Sequence, residues 1–276
     1  ARGQLMTLIA FASAKGSPGV TQTVTGLASV WSRDVVVADL DPVGGDIGLR
    51  LRRGDGLPLD HDDGLLSYGA ALRGGKPADL AEHLQRAEDG TQVLVGVAGP
   101  GQVQGLGAAW PHIGASLRRA TPDVLADCGR LGPGSPVLPV IERSSALIMV
   151  ARSDIAALSH LRERLVWLKN TLRAGGGEPV PVGVLLVGDA GDQRSADDLG
   201  RLLASGGLDV PVLGTVAHEP KIVNNLATTS ERALRRSLFI RSLTDVRTRV
   251  QALVSSREVM WAAESAEPTA PTGQVV

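Results

Sequence analysis

Short apolar runs recur down the whole chain: Met6–Ala12, Val35–Leu40, Val93–Val97, Val124–Asp127, Ala146–Ala151, Val182–Val187 and Val212–Val216. Most are apolar at successive positions instead of alternating with polar residues. A strand that is apolar on both faces must be covered on both faces, as in a parallel sheet flanked by helices. Helical spacing appears between the runs. Val24, Leu27, Ala28 and Trp31 fall at i, i+3, i+4 and i+7. Ile155, Leu158, Leu161, Leu165 and Leu168 form a longer stripe, and Ser195 opens another helix with Asp198 as a weak capping box. The alternation predicts an α/β fold over 6–255, a mainly parallel, doubly wound sheet with helices on both sides. No internal repeat interrupts it.

At 276 residues the chain suits one large domain or two small ones, at roughly 100–200 residues each. The continuous strand–helix alternation favours one. Its 43 % apolar content is ordinary, and its 34 glycines suit many tight strand–helix connections. A formal net charge of -1 carries no bulk signal for nucleic acid. No apolar run approaches the ~20 residues of a membrane span, and no charged-then-apolar leader opens the chain. Cys128 is the single cysteine, which excludes an internal disulfide or a two-cysteine metal site in one chain and fits a reducing, cytoplasmic setting. Ala1–Leu5 read as added residues or as the stump of a longer chain, with Met6 a natural start. Residues 52–91, rich in Gly, Asp and Arg, read as a surface insertion holding a helix pair, Leu65–Leu72 and Ala78–Arg86. Residues 262–276 lack a core-forming pattern and read as a disordered tail.

The chemistry concentrates at residues 13–23, Ser-Ala-Lys-Gly-Ser-Pro-Gly-Val-Thr-Gln-Thr, between an apolar run and an amphipathic helix. A phosphate-binding loop aims successive backbone N–H groups and a helix N-terminus at a phosphate chain. Its lysine reaches the terminal phosphates, and its Ser/Thr hydroxyl ligates Mg²⁺. Thr21 stands at the hydroxyl position, Val20 where the lysine belongs, and Ala14 at the usual first glycine. Three features strengthen the reading: Lys15 at the start of the loop, the pair Asp39 and Asp41 closing the second strand, and Asp127 ending a buried run. Carboxylates at i and i+2 share one side of a strand end and face the crevice where α/β sheets bind ligands. A lone carboxylate on a buried strand is costly unless it is hydrogen-bonded or serves a metal. Each feature alone has a plain alternative: a ligand-free glycine turn, solvated turn aspartates, a strand cap.

In combination these motifs resemble the MinD/ParA family of deviant Walker A ATPases, P-loop NTPases whose leading pattern is Lys-Gly-Gly-x-Gly-Lys-Thr. The matching segments are Lys15-Gly16-Ser17-Pro18-Gly19-Val20-Thr21, Asp39-Leu40-Asp41-Pro42 and Asp127. The run Asp39–Leu51 and the Asp-Cys-Gly-Arg turn look closest to the pilus-associated CpaE/TadZ branch and to MinD-like proteins of high-GC bacteria. The resemblance implies a homodimer enclosing ATP or ADP with Mg²⁺. Lys15 matches a lysine that reaches the partner subunit's phosphates, and Asp41 the carboxylate that positions the hydrolytic water. Thr21 matches a direct Mg²⁺ ligand, and Asp39 and Asp127 residues that hold the ion through water. Lys15 through Gln22 match the nucleotide-contacting loop. The segment Val212–Pro220, with His218 and Pro220, resembles the part that packs beside the base.

Val20 predicts weak or absent hydrolysis, and Pro18 gives up an N–H donor. Two functions follow: a nucleotide-dependent dimeric switch that positions a cellular partner, or a nucleotide-independent scaffold that keeps the dimer surface for protein or DNA. Residues 231–250 are basic through Arg232, Arg235, Arg236, Arg241, Arg247 and Arg249, interleaved with Leu234, Leu238, Ile240, Leu243 and Val246. The plain reading is a terminal helix packed on the sheet with a solvated basic face. The sharper readings are nonspecific DNA binding or, less favoured, peripheral membrane contact. His61, His83, His112, His160 and His218 show no metal spacing.

Overall fold

A computed structural model describes residues 7–16, 18–174, 180–190, 192–223, 229 and 231–264. Its strands are β1 (Leu8–Ser13), β2 (Val35–Asp39), β3 (Gln85–Arg86), β4 (Gln92–Leu94), β5 (Asp123–Arg130), β6 (Ala146–Arg152), β7 (Val182–Gly188) and β8 (Val212–Ala217). The helices are α1 (Val20–Val30), α2 (Ile47–Arg50), α3 (Leu65–Ala71), α4 (Pro100–Leu106), α5 (Trp110–Leu117), α6 (Leu138–Ile141), α7 (Ile155–Ala174), α8 (Gln193–Ser205), α9 (Pro220–Val223), α10 (Glu231–Arg236) and α11 (Leu238–Glu264). The sheet order is β3-β4-β2-β5-β1-β6-β7-β8. All pairs are parallel except β3 with β4 at the edge. This is the expected doubly wound α/β sheet.

Both faces of the strands are buried, and each builds its own core. Leu8, Ala10 and Ala12 of β1 pack with Leu161, Leu165 and Leu168 of α7 and with Leu199 and Leu203 of α8. Ile9 and Phe11 face the other way, onto Val20, Val24 and Leu27 of α1 and Phe239, Leu243 and Val246 of α11. Fully burying each such side chain is worth about 1.5–3 kcal/mol, so the two layers together drive the fold. No helix among the described residues is long and apolar enough to cross a membrane.

The structure revises several local expectations. Over Ala78–Arg86 there is only a single 3₁₀ turn, Leu80–His83, followed by strand β3. Asp79 caps that turn by accepting from the Ala81 N–H. Pairing of Gln85 and Arg86 with the open edge of β4 then overrides helical propensity. Residues 52–91 are more than a surface insertion, because Leu65, Tyr68, Leu72 and Leu80 enter the core. Asp192, not Ser195, caps α8, its carboxylate accepting the Ser195 N–H at 3.0 Å. Asp198 instead pairs with Arg194 and Arg201. Ile155, assigned to the apolar stripe of α7, is 89 % exposed, since α7 meets the sheet only beyond its first turn. The last helix continues to Glu264, so 262–264 are helical. Residues 265–276 of the expected tail, Met6 and Ser17 lie outside the described residues.

Candidate functional site

The site lies at the carboxyl ends of β1, β2 and β5. Gly19 caps α1 at φ +104°, a left-handed conformation that the loop needs in order to turn into the helix. Val20 is the first residue of α1 and points into the core. It is 6 % exposed and packs with Ile9, Phe11, Val24 and Val187. A valine is therefore at home here as a packing residue. Lys15 is exposed, and its Nζ lies 3.1 Å from Nε2 of His160 on α7. For that bond His160 must keep the Nε2 lone pair and accept. Gln22 sits half-buried in the first turn of α1, with its Oε1 beside Gly19.

Thr21 donates its hydroxyl to Asp127 Oδ2 at 2.6 Å, and the Gly129 N–H donates to Asp127 Oδ1 at 2.9 Å. Asp39 is paired in register with Asp127 on the neighbouring strand, so two carboxylates stand side by side on one face of the sheet. Asp39 accepts from the Ile47 N–H at 3.1 Å and the Asp41 N–H at 3.4 Å. Asp41 accepts from the Val43 N–H at 2.8 Å. Burial pushes the Asp127 carboxyl up to about 6. Burial, and then the charge of Asp127, push Asp39 well above the ordinary carboxylate range. Burial also raises Asp41. Asp39 and Asp127 are each 1 % exposed, and no lysine or arginine among the described residues forms an ion pair with either. Two buried, neighbouring carboxylates without a cationic partner suit a divalent cation, which would lift both penalties. Among the described residues no three His, Cys, Asp or Glu side chains converge as direct metal ligands. The donor set therefore suits an ion held by a hydroxyl and by water-bridged carboxylates.

Tight glycines close this pocket. A Cβ on Gly45 would fall 2.2 Å from Asp39 Oδ2, and one on Gly96 2.8 Å from Asp39 Cγ. Gly129, at φ +59°, would place a Cβ 2.2 Å from the Asp41 carboxylate. Neither this cage nor the Lys15–His160 contact was expected from sequence. The local signal was glycine a few residues past the carboxylates, Gly44-Gly45 after Asp41 and Gly129 after Asp127. Of the base-side residues, His218 is exposed and its N–H bonds to Gly188 O at 2.8 Å; Pro220 opens α9. Both sit at the same end of the sheet but three strands from β1. The basic C-terminal segment is partly structural. Arg247 donates to Val30 O and Arg249 to Leu213 O, while Arg232, Arg236 and Arg241 face solvent. Cys128 is buried beside Asp127, and burial raises its thiol well above the usual range.

No family model matches the chain, and no curated protein matches it in sequence. Solved structures do match. The septum site-determining protein MinD complexed with Mg-ADP from Pyrococcus horikoshii superposes with a TM-score of 0.67 at 16 % identity, over 91 % of this chain and 98 % of that one. A ParA family ATPase from Chlorobium tepidum gives 0.65 at 16 % identity over 88 % and 98 %. A putative plasmid partition protein from Borrelia burgdorferi bound to AMPPNP gives 0.64 at 13 % identity over 90 % and 99 %. The chain therefore has the MinD/ParA P-loop NTPase fold.

Proposed function

We propose that the protein is a nucleotide-binding dimeric switch of MinD/ParA type that positions or recruits a cellular partner and hydrolyses ATP weakly or not at all. One observation carries this: Thr21, Asp127 and Asp39 are assembled into a cation-ready set beside the loop, while Val20 is turned into the core. A bound nucleotide would bring its phosphates and Mg²⁺ to that set. Thr21 would ligate the ion, and Asp39 and Asp127 would hold its water shell. Asp41 would orient the attacking water, and Lys15, released from His160, would reach a second subunit. The fold supports this reading, since two of the similar proteins were solved with Mg-ADP and AMPPNP. A protein partner fits best. The cargo positioned would be a pilus or secretion assembly, a chromosome or plasmid, or a division site.

Losing the loop lysine removes a charged clamp worth about 3–4 kcal/mol in comparable sites. Turnover is therefore expected to fall by at least two orders of magnitude from that of a complete site. Calorimetry with ATP, ADP and Mg²⁺, run beside a size measurement, tests the switch. Mg²⁺-dependent ATP binding with dimerisation is the expected result. A dimer indifferent to nucleotide would favour the second reading, a pseudo-ATPase scaffold, which the burial of Val20 also suits. In a single-turnover assay, rapid hydrolysis abolished by Asp41→Ala would sink the prediction of weak turnover.

A further inference from the structure

A cavity of ≈ 430 Å³ between Leu80, Gln92 and Arg119 lies at the opposite end of the strands, and Ser67 Oγ lies 2.8 Å from His83 Nδ1. The geometry that points furthest is at the end of β5. β5 runs in register with β1 from Leu8↔Val124 to Phe11↔Asp127, and then slips: Ser13 pairs with Arg130. Two steps along β1 match three along β5, so β5 carries a bulge, with Gly129 in the left-handed region at φ +59°. The bulge changes which way the next side chain points. In a regular strand Asp127 and Arg130 would project to opposite faces. Phe11 and Ser13, two apart on β1, share a face, and their partners Asp127 and Arg130 therefore share it too. That face is the one covered by α1, which carries the loop and Thr21.

From this we infer that Arg130 supplies the phosphate-binding cation that the loop lacks at Val20, so that the anionic tail of a nucleoside triphosphate is held from the end of β5. Arg130 is exposed and stands against Ser13, the residue from which the loop departs. Among the described residues it forms no ion pair. Its charge nonetheless reaches the crevice, where it draws the Asp41 carboxyl down against the upward push of burial. A guanidinium there is planar, permanently charged and suited to bidentate contact with phosphate oxygens. Arg152, at the end of β6, projects to the same face on the other side of β1 and is the natural control. It pairs with Val187, beside Gly19, and so stands on the far side of β1 from the β5 bulge.

The inference rests on the proposed nucleotide binding, and the test separates the two. Mg-ATP and inorganic tripolyphosphate are titrated calorimetrically into the full chain, Arg130→Ala, Arg130→Lys and Arg152→Ala, with melting curves confirming folding. Arg130→Ala is expected to weaken both ligands by about tenfold or more, the worth of a charge-assisted contact. Arg130→Lys should lose less, and Arg152→Ala should stay within about threefold of the parent. Unchanged binding in Arg130→Ala overturns the inference while the proposed function stands. So does a loss confined to Arg152→Ala, or equal losses in the lysine and alanine variants, since charge would then not be what Arg130 supplies. If the parent chain binds neither ligand, the proposed function falls and the inference with it.

Discussion

Replacing Asp127 with asparagine is expected to stabilise the ligand-free protein at about pH 7 by about 3 kcal/mol and to remove its response to Mg²⁺. Burial holds the folded-state carboxyl near 6, against an ordinary value of 3.8. A group with a raised folded pKa binds its proton more tightly when folded. Its penalty is absent below pH ~4, grows as pH rises through about 6, and is complete above that. The gap corresponds to about 3 kcal/mol of cost borne by the ionised native state. Asp39, shifted in the same direction, adds to the decline. Asparagine keeps the shape and both bonds: its carbonyl accepts the Gly129 N–H, and its amide donates to the Thr21 hydroxyl. Urea unfolding at about pH 5 and about pH 7.5 checks this. The variant should exceed the parent at the higher pH and match it more closely at the lower. Added Mg²⁺ should close the gap only for the parent. A parent whose stability is flat between these pH values would show that the carboxylate is already compensated.

Gly45→Ala is expected to cost about 3 kcal/mol and to abolish Mg²⁺-dependent binding. The new methyl would sit 2.2 Å from Asp39 Oδ2 and 2.5 Å from Asp39 Cγ. Asp39 cannot yield, because it is buried, held by the Ile47 N–H and walled on its other side by Gly96. Overpacking a rigid site costs typically about 1–3 kcal/mol, and displacing the carboxylate also strands its backbone donors. Gly54→Ala is the matched control, since a Cβ there meets nothing within 4 Å. Thermal melts of the two variants, followed by Mg²⁺ titration, separate the effects. Equal stability would mean that the loop between Asp41 and Ile47 simply moves aside.

Much of the architecture was legible because it rests on local pattern. Strands that are apolar on both faces announce a sheet covered twice, and β1 shows the reason: Leu8 and Ala10 serve one core while Ile9 and Phe11 serve the other. Asp39, Asp127 and Thr21 could be placed at strand ends and at a helix start by the same means, and the fold brings them together. Local pattern failed where long-range pairing won. Gln85 and Arg86 joined a sheet edge, and Ile155 stayed in solvent although it continued a helical stripe.

The sequence by itself determined the parallel sheet, the position of the loop and the loss of its lysine, because periodicity and residue chemistry at neighbouring positions suffice for those. Only the tertiary structure decided which charges meet. Lys15 and His160 are 145 residues apart, and Asp39 and Asp127 become neighbours only through strand register. A single bulge at Gly129 determines which face Arg130 takes. Desolvation, which sets the carboxylates' proton affinity, is a sum over everything packed around them, and no stretch of sequence carries that sum.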